Sequence, residues 1–246
     1  LKAHALRSRF LLKLYTGGYN AWQQEVLSEK TGLRRFEPDV VFVAWRLEEM
    51  SPSLVYDFPA MSEAAVAEEL AKLVGAIEGA LIGLRHWSRA KIVLHNAPIP
   101  TTPAFGIIDH QLPTGQIDAF SRLNRKLLDL AKKITGLWIL DYGRLIANIG
   151  ESRWNDARLW GLARLPLSNM AMHALVDYYV AYLRAFCGFS RKVLVLDLDD
   201  TLWGGVVGEV GTSGIELGSD YPGSAFMEFQ RAVLSLYHRG VVLAIN

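Results

Sequence analysis

Three carboxylates follow an apolar run in the last quarter of the chain. The run is 193–196 (Val-Leu-Val-Leu), and the acids are Asp197, Asp199 and Asp200. Four consecutive apolar residues are typical of a strand buried on both faces of a parallel sheet. Side chains two positions apart in a strand share a face, so we expect Asp197 beside Asp199 and Asp200 pointing elsewhere. Two close carboxylates repel unless a cation lies between them or one holds a proton, and both arrangements serve phosphate chemistry.

The place of these acids in the predicted fold favours a site over a merely acidic loop. Open α/β sheets bind ligands at the carboxyl ends of their strands, where Asp197 and Asp199 fall. A helix N-cap is the other interpretation of such residues. The apolar run, the alternating acids and the Thr-Leu-Trp at 201–203 together favour a catalytic motif.

The segment Asp197 to Thr201 resembles the first motif of the haloacid dehalogenase (HAD) superfamily, Asp-x-Asp-x-Thr. The resemblance implies that Asp197 is the nucleophile, which takes a phosphoryl group as an aspartyl phosphate. It implies that Asp199 is the general acid and base and that Thr201 steadies the loop. The implied cofactor is Mg²⁺, held at Asp197 and Asp199, which would offset the charge gathered at the phosphate.

The residues after the motif narrow the resemblance. Glycine-separated apolar pieces over 204–218 predict a β-hairpin flap, and 241–245 predicts a second buried strand. Between them a helix is predicted with one apolar face, made of Phe226, Phe229, Val233 and Leu236. With the ten-residue motif 197–206, this segment resembles the start of an FkbH-like protein, subfamily IIIC of the HAD superfamily.

Both ends of the chain suggest a fragment. The first residue is Leu1, and the last, Asn246, lies at the tip of the second predicted strand. The HAD resemblance implies three further elements: a Ser or Thr at that strand end, a Lys, and a later acidic pair for Mg²⁺. None of these can be assigned, so we expect the segment to be inactive alone and active in a full-length parent.

Composition limits the classes of partner. The formal net charge of the 246 residues is +1, which argues against a nucleic-acid partner. The single cysteine, Cys187, excludes an internal disulfide and fits a reducing cytoplasm; we expect it to be a small buried hydrophobe. No apolar run reaches the roughly 18 residues of a membrane span, so we expect no membrane association.

The region before the motif alternates between predicted strands and helices, which indicates a doubly wound α/β domain over 1–165. A bridging helix within 166–190 and a truncated HAD domain of the Rossmann-like α/β class over 191–246 complete the predicted organisation. The predicted strands are 39–44, 91–95 and 137–140, and the predicted helices are 62–85, 116–133 and 169–186. His173, in the last helix, is interpreted as a packing or capping residue.

The first domain resembles the SGNH-hydrolase-like domain of longer FkbH-like proteins. The segments 36–42 and 154–160 carry this resemblance, but the Gly-Asp-Ser nucleophile and the Asp-x-x-His pair of active SGNH enzymes are absent from the sequence. We therefore expect a docking or non-catalytic domain, with Trp154 and Arg158 as its partner contacts. Asn96 is interpreted either as a loop-fixing residue or as an oxyanion-hole donor.

Three functions compete. The FkbH resemblance implies that 1,3-bisphosphoglycerate is dephosphorylated and its glyceryl group loaded onto an acyl carrier protein in polyketide or secondary-metabolite biosynthesis. A plain Mg²⁺-dependent sugar- or small-acid phosphatase is the alternative, because Asn246 stands where the family pattern places a thiol. A non-catalytic carrier-protein docking scaffold is the third. The sequence leaves open the acyl group, the carrying thiol and the oligomeric state.

Overall fold

The structure, a computed structural model, describes residues 1–163 and 165–246 and divides into two compact units. The first unit is Leu1–Phe186 and the second is Cys187–Asn246. The strands of the first unit are β1 (Val40–Val43), β2 (Lys91–His95) and β3 (Leu137–Leu140), and those of the second are β4 (Val193–Leu196) and β5 (Val242–Ile245).

Helices and short 3₁₀ turns connect the strands. Those of the first unit are α1 (Lys2–Arg7), α2 (Trp22–Leu27), α3 (Gly32–Phe36), α4 (Leu47–Met50), α5 (Pro52–Tyr56), α6 (Glu63–Trp87), α7 (Gln116–Lys133), α8 (Tyr142–Ile149), α9 (Glu151–Trp154), α10 (Ala157–Ala163) and α11 (Asn169–Phe186), with 3₁₀ turns at Phe58–Ala60 and Gly106–Gln111. Those of the second are α12 (Val207–Val210) and α13 (Gly223–His238). Within the described ranges, none of the helices has the length and apolar character needed to cross a membrane.

The sheet of the first unit is parallel, in the order β1-β2-β3. The central strand β2 pairs Ile92 with Val41 on one side and with Leu137 on the other. Parallel neighbours need crossover connections, and the long helices α6 and α7 supply them. The predicted α/β fold class is confirmed, and the predicted strands at 91–95 and 137–140 are confirmed to the residue.

Both faces of this sheet are covered, as the alternation of side chains along β2 shows. Ile92 and Leu94 belong to the larger apolar core, which α6 and α7 complete, while Val93 belongs to a second core formed with α8, α9 and α11. All three β2 side chains are fully buried. Each such aliphatic side chain contributes about 1.5–3 kcal/mol relative to an exposed one.

The start of α6 shows how the sequence sets a helix boundary. The Ser62 hydroxyl accepts a hydrogen bond from the Ala65 N–H at 3.2 Å, which confirms the predicted cap. Glu63 supplies the acidic first turn, and Arg85 and His86 lie in the last turn, where cations favour the helix dipole.

The strands of the second unit are not buried on both faces, and this part of the prediction is wrong. β4 and β5 form a two-stranded parallel sheet in which Val193 pairs with Val242. Val193, Val195 and Val242, which share one face, are all more than half exposed, whereas Leu196 on the opposite face is buried. A two-stranded sheet with one long helix, α13, has a covering layer for one face only.

The flap, the helix and the cysteine of the second unit also depart from the sequence expectations. In place of the predicted β-hairpin, the stretch 204–218 forms an isolated antiparallel bridge between Gly204 and Glu216, which encloses the short helix α12. Its glycine-rich pieces do not pair further into a ladder. In α13 Val233 is buried but Phe229 is exposed. Cys187 is exposed rather than buried, because it lies in the turn after α11.

A buried polar contact joins the end of β2 to α11. His95 is 3% exposed, its ring stacks on Tyr142 at 4.7 Å, and its Nε2 lies 2.8 Å from the Tyr179 hydroxyl. Burial lowers the pKa of His95 from 6.5 to about 4, and burial raises the pKa of Tyr179. A neutral imidazole and a neutral hydroxyl therefore share this hydrogen bond, whose direction depends on the tautomer of the imidazole.

This histidine gives the first unit a pH-dependent stability. The unfolded chain protonates His95 below about pH 6.5 and the folded chain only near pH 4, so the free energy of unfolding falls across that window, by up to about 1.4 kcal/mol per pH unit. Urea unfolding from about pH 7 to about pH 4 measures this loss. The His95→Gln variant, which cannot charge, is expected to show a shallower loss; identical slopes would exclude His95 as the cause.

Candidate active site

The predicted nucleophile lies at the carboxyl end of the parallel pair in the second unit. Asp197 directly follows β4, and the Asn246 N–H donates to the Leu196 carbonyl at 2.9 Å, which aligns the ends of the two strands. The Asp197 side chain is exposed, and its Oδ1 accepts from the Leu198 N–H at 2.9 Å. An exposed carboxylate at a strand end is accessible to a phosphorylated ligand.

The second predicted acid is held in place by the loop that follows it. Asp199 is half-buried, and its Oδ1 accepts from the Trp203 indole N–H at 3.0 Å and from the Val207 N–H at 3.2 Å. Both donors use the same oxygen, which leaves the other one outside these contacts. Hydrogen bonds from N–H donors fix the orientation of a carboxylate that would otherwise rotate freely.

The backbone around Thr201 forms a tight turn. The Leu198 carbonyl accepts from the Thr201 N–H at 3.2 Å and from the Leu202 N–H at 2.8 Å. Thr201 is half-buried in this turn. The turn brings Trp203 back to Asp199, so the loop closes on the acid that it positions.

Asp200 has a structural role that the sequence interpretation missed. Its φ is +52°, in the left-handed region, and its Oδ1 accepts from the Gly205 N–H at 2.7 Å. Asp and Asn tolerate this conformation better than other side chains, and their oxygens bond to nearby backbone. That tendency was the available signal: the third acid in such a run is the one suited to close the loop.

The far side of the loop is attached to α13. The Gln230 amide donates to the Leu202 carbonyl at 2.6 Å. Gly204 is buried, and a Cβ there would lie within 3 Å of side-chain atoms of Glu216 and Phe226. A side chain at 204 would therefore displace the loop from its neighbours.

The donor set of the site fits a hard cation. Asp197 and Asp199 offer carboxylate oxygens, and Mg²⁺ is commonly bound through one or two carboxylates while water and phosphate oxygens complete its shell. Among the residues that the structure describes, no group of three or more His, Cys, Asp or Glu side chains is arranged to hold a metal ion. The protein alone thus offers a two-carboxylate site.

The predicted partner contacts of the first unit divide between the interior and the surface. Trp154 is 1% exposed, and its indole N–H donates to the Tyr142 hydroxyl at 3.1 Å. The prediction that Trp154 is a surface contact is therefore wrong, because α8 and α11 enclose its ring. Arg158 is exposed on α10.

A cavity lies at the carboxyl ends of β2 and β3 in the first unit. Its volume is about 640 Å³, and its lining includes Asn96, Arg125, Asp141 and Arg144. The Asn96 amide donates to Asp141 Oδ1 at 3.0 Å, and its Oδ1 accepts from the Gly143 N–H at 3.1 Å. With both ends of its side chain in use, Asn96 fixes the loop, as one of its two interpretations predicted.

Comparison with solved structures finds a protein of the same fold. The chain is similar to the N-terminal part of the protein BF1531 from Bacteroides fragilis, a crystal structure that contains a phosphatase domain complexed with Mg. The TM-score is 0.79 at 22% identity over 99% of this chain, and this chain spans 63% of the length of that one. Sequence comparison finds no matching family model and no matching curated protein. The two chains therefore share an α/β fold.

The role of Asp200 is testable. Replacement Asp200→Ala removes the bond to Gly205 and the polar side chain that favours the left-handed conformation at this position, so we expect the loop to lose about 1–3 kcal/mol of local stability. Hydrogen exchange of the Gly205 amide reports this as faster exchange. Asp200→Asn keeps both features and is the matched control; equal exchange in the two variants would contradict the assignment.

Proposed function

We propose that this chain is the phosphoryl-handling part of a Mg²⁺-dependent HAD-type enzyme. The observation that carries the proposal is the pairing of an exposed carboxylate, Asp197, with a fixed one, Asp199, at the end of a parallel strand. Ligands of open α/β sheets bind at such strand ends. The shared fold with a phosphatase-domain structure that was crystallised with Mg supports the same conclusion.

The proposed reaction has two steps. An oxygen of Asp197 attacks the phosphorus of the substrate, the bond from phosphorus to the leaving oxygen breaks, and Asp199 gives its proton to that oxygen. Water then attacks the aspartyl phosphate, the bond between Asp197 and phosphorus breaks, and Asp199 takes the proton of the water. Thr201 holds the turn that keeps the two acids in register.

Magnesium fits this scheme because both acids are hard oxygen donors. Asp197 and Asp199 would hold the ion, which when bound neutralises charge on the phosphoryl oxygens and on the nucleophile. Two neighbouring carboxylates with no counter-charge repel each other, and a bound ion would remove that repulsion.

The proposed substrate class is what the FkbH resemblance of the motif at 197–206 implies, a motif longer than the general HAD pattern. We propose that the donor is 1,3-bisphosphoglycerate and the acceptor an acyl carrier protein, in polyketide or secondary-metabolite biosynthesis. Asp197 takes the phosphoryl group of the C3 phosphate ester, which frees the C3 hydroxyl, and the thiolate of the carrier attacks C1, whose bond to the acyl phosphate breaks and releases phosphate. The exposed Arg158 is suited to contact the acidic surface of such a carrier. In this proposal 1–165 is a non-catalytic SGNH-like docking domain, 166–190 bridges, 191–246 begins the HAD domain, and the enzyme is cytoplasmic.

The roles of the two acids predict different defects. In the full-length protein, Asp197→Asn is expected to lower Mg²⁺-dependent phosphate release by more than about 10⁴-fold, because the nucleophile is gone. Asp199→Asn is expected to lower it by about 10²–10⁴-fold and to accumulate phosphoenzyme, since acid-base catalysis is lost. Phosphate release and trapping of acid-stable label measure both effects.

The matched control for these variants is Asp220→Asn, which removes an exposed acid of the same unit. It is expected to retain full turnover. Retained turnover in Asp197→Asn would exclude that residue as nucleophile, and phosphoenzyme that forms without Asp197 would exclude the mechanism.

The glyceryl-transfer step has its own measurement. Intact-mass spectrometry of a holo acyl carrier protein, incubated with the full-length protein, Mg²⁺ and 1,3-bisphosphoglycerate, is expected to show a glyceryl adduct that Asp197→Asn abolishes. Free phosphate without an adduct would establish the plain phosphatase in place of the transferase. If neither the adduct nor free phosphate forms, the docking-scaffold function is the one that remains.

A further inference from the structure

A histidine pair joins α1 to α11 in the first unit. His4 Nδ1 lies 2.8 Å from Asp177 Oδ1, and His4 Nε2 lies 3.2 Å from His173 Nδ1. The two imidazole rings are stacked with centroids 5.2 Å apart and planes inclined by 27°. Three side chains that commonly bind or orient metal ions thus form one chain of contacts.

The elements around the pair hold it in position. His173 and Asp177 are four residues apart on α11 and therefore lie on the same face of that helix. His4 comes from α1, which packs on α11 and is anchored by the fully buried Ala5. The side chain of His4 is 21% exposed, so it enters the contact from a half-buried position.

The hydrogen-bond network fixes which nitrogen of His4 carries the proton. The Asp177 carboxylate only accepts, so His4 Nδ1 donates to it. In the neutral ring His4 Nε2 then has a free lone pair, which accepts from His173 Nδ1. A metal ion would take the place of that shared proton, once His173 moves its own proton from Nδ1 to Nε2.

The separation of the two nitrogens matches that of two ligands on one ion. Tetrahedral Zn²⁺ binds imidazole nitrogens at about 2.0–2.1 Å, which places two such ligands about 3.4 Å apart. The observed separation is 3.2 Å. A carboxylate that accepts from the second nitrogen of a ligating histidine is the usual partner that orients the ring and strengthens its basicity, and Asp177 has this position.

We propose that His4 Nε2 and His173 Nδ1 bind a divalent transition-metal ion, of which Zn²⁺ is the probe of choice, with Asp177 orienting His4. Imidazole nitrogens select Zn²⁺, Ni²⁺ and Cu²⁺, whereas the oxygen donors at Asp197 and Asp199 suit Mg²⁺. Two protein ligands leave the remaining positions to water, so the site is an exchangeable one. The bound ion clamps α1 onto α11.

The test is a calorimetric titration of the untagged, chelator-treated full-length protein with ZnCl₂ near neutral pH. One Zn²⁺ per chain is expected, and His4→Ala or His173→Ala is expected to abolish that binding event. Asp177→Asn, which only loosens the ring, is expected to weaken it by about ten- to a hundredfold. His86→Ala is the matched control, an exposed helical histidine outside the pair that is expected to leave binding unchanged.

A second readout separates metal binding from simple helix docking. In ¹⁵N spectra of the imidazoles, Zn²⁺ is expected to shift His4 Nε2 and His173 Nδ1 and no nitrogen of His86. Absence of the binding event in the unsubstituted protein, or its survival in His173→Ala, would overturn the site.

Discussion

Parallel strand pairing is the constraint on which the rest of this structure depends, because it places the carboxyl ends of all the strands in a sheet at the same edge. In the first unit Asn96 and Asp141 come directly after β2 and β3, and they meet as a hydrogen-bonded pair. In the second, Asp197 follows β4 beside the end of β5. Each parallel neighbour also requires a long crossover, which is why helices dominate the chain between strands.

The three acids after β4 lie in one short loop but have different surroundings and different roles. Asp197 remains in water, Asp199 is half-buried and receives two N–H donors, and Asp200 closes the loop through Gly205. A carboxylate loses hydration when buried and needs donors in return. The arrangement satisfies that need for Asp199, the half-buried acid, and leaves the exposed Asp197 at the strand end open to a ligand.

Local patterns predicted the elements of the fold well, since they depend on neighbours in sequence. The strand at 91–95 and the helices at 116–133 and 169–186 were placed to the residue because apolar period and breakers define them. The acids at the end of β4 were located by the same reasoning, as strand alternation fixes which side chains share a face.

The sequence could not show which faces of a strand are covered by other elements of the fold. A run of four apolar residues looks the same whether one face or two are covered, so Val193 and Val195 were assigned to an interior that does not enclose them. The prediction that Trp154 is a surface contact is wrong for the opposite reason. Its indole N–H donates to the Tyr142 hydroxyl on another helix, and the polar segment around Trp154 gives no sign of that contact. Both errors concern contacts between elements.

The exposed thiol of Cys187 has a practical consequence. It is the only cysteine in the sequence and the first residue of the second unit. A maleimide dye or spin label would therefore attach at one defined point, at the junction of the two units, with no other thiol to remove by mutagenesis. Spectroscopy from that single position could report on the start of the second unit when the carboxylates at the end of β4 meet magnesium and a phosphorylated compound.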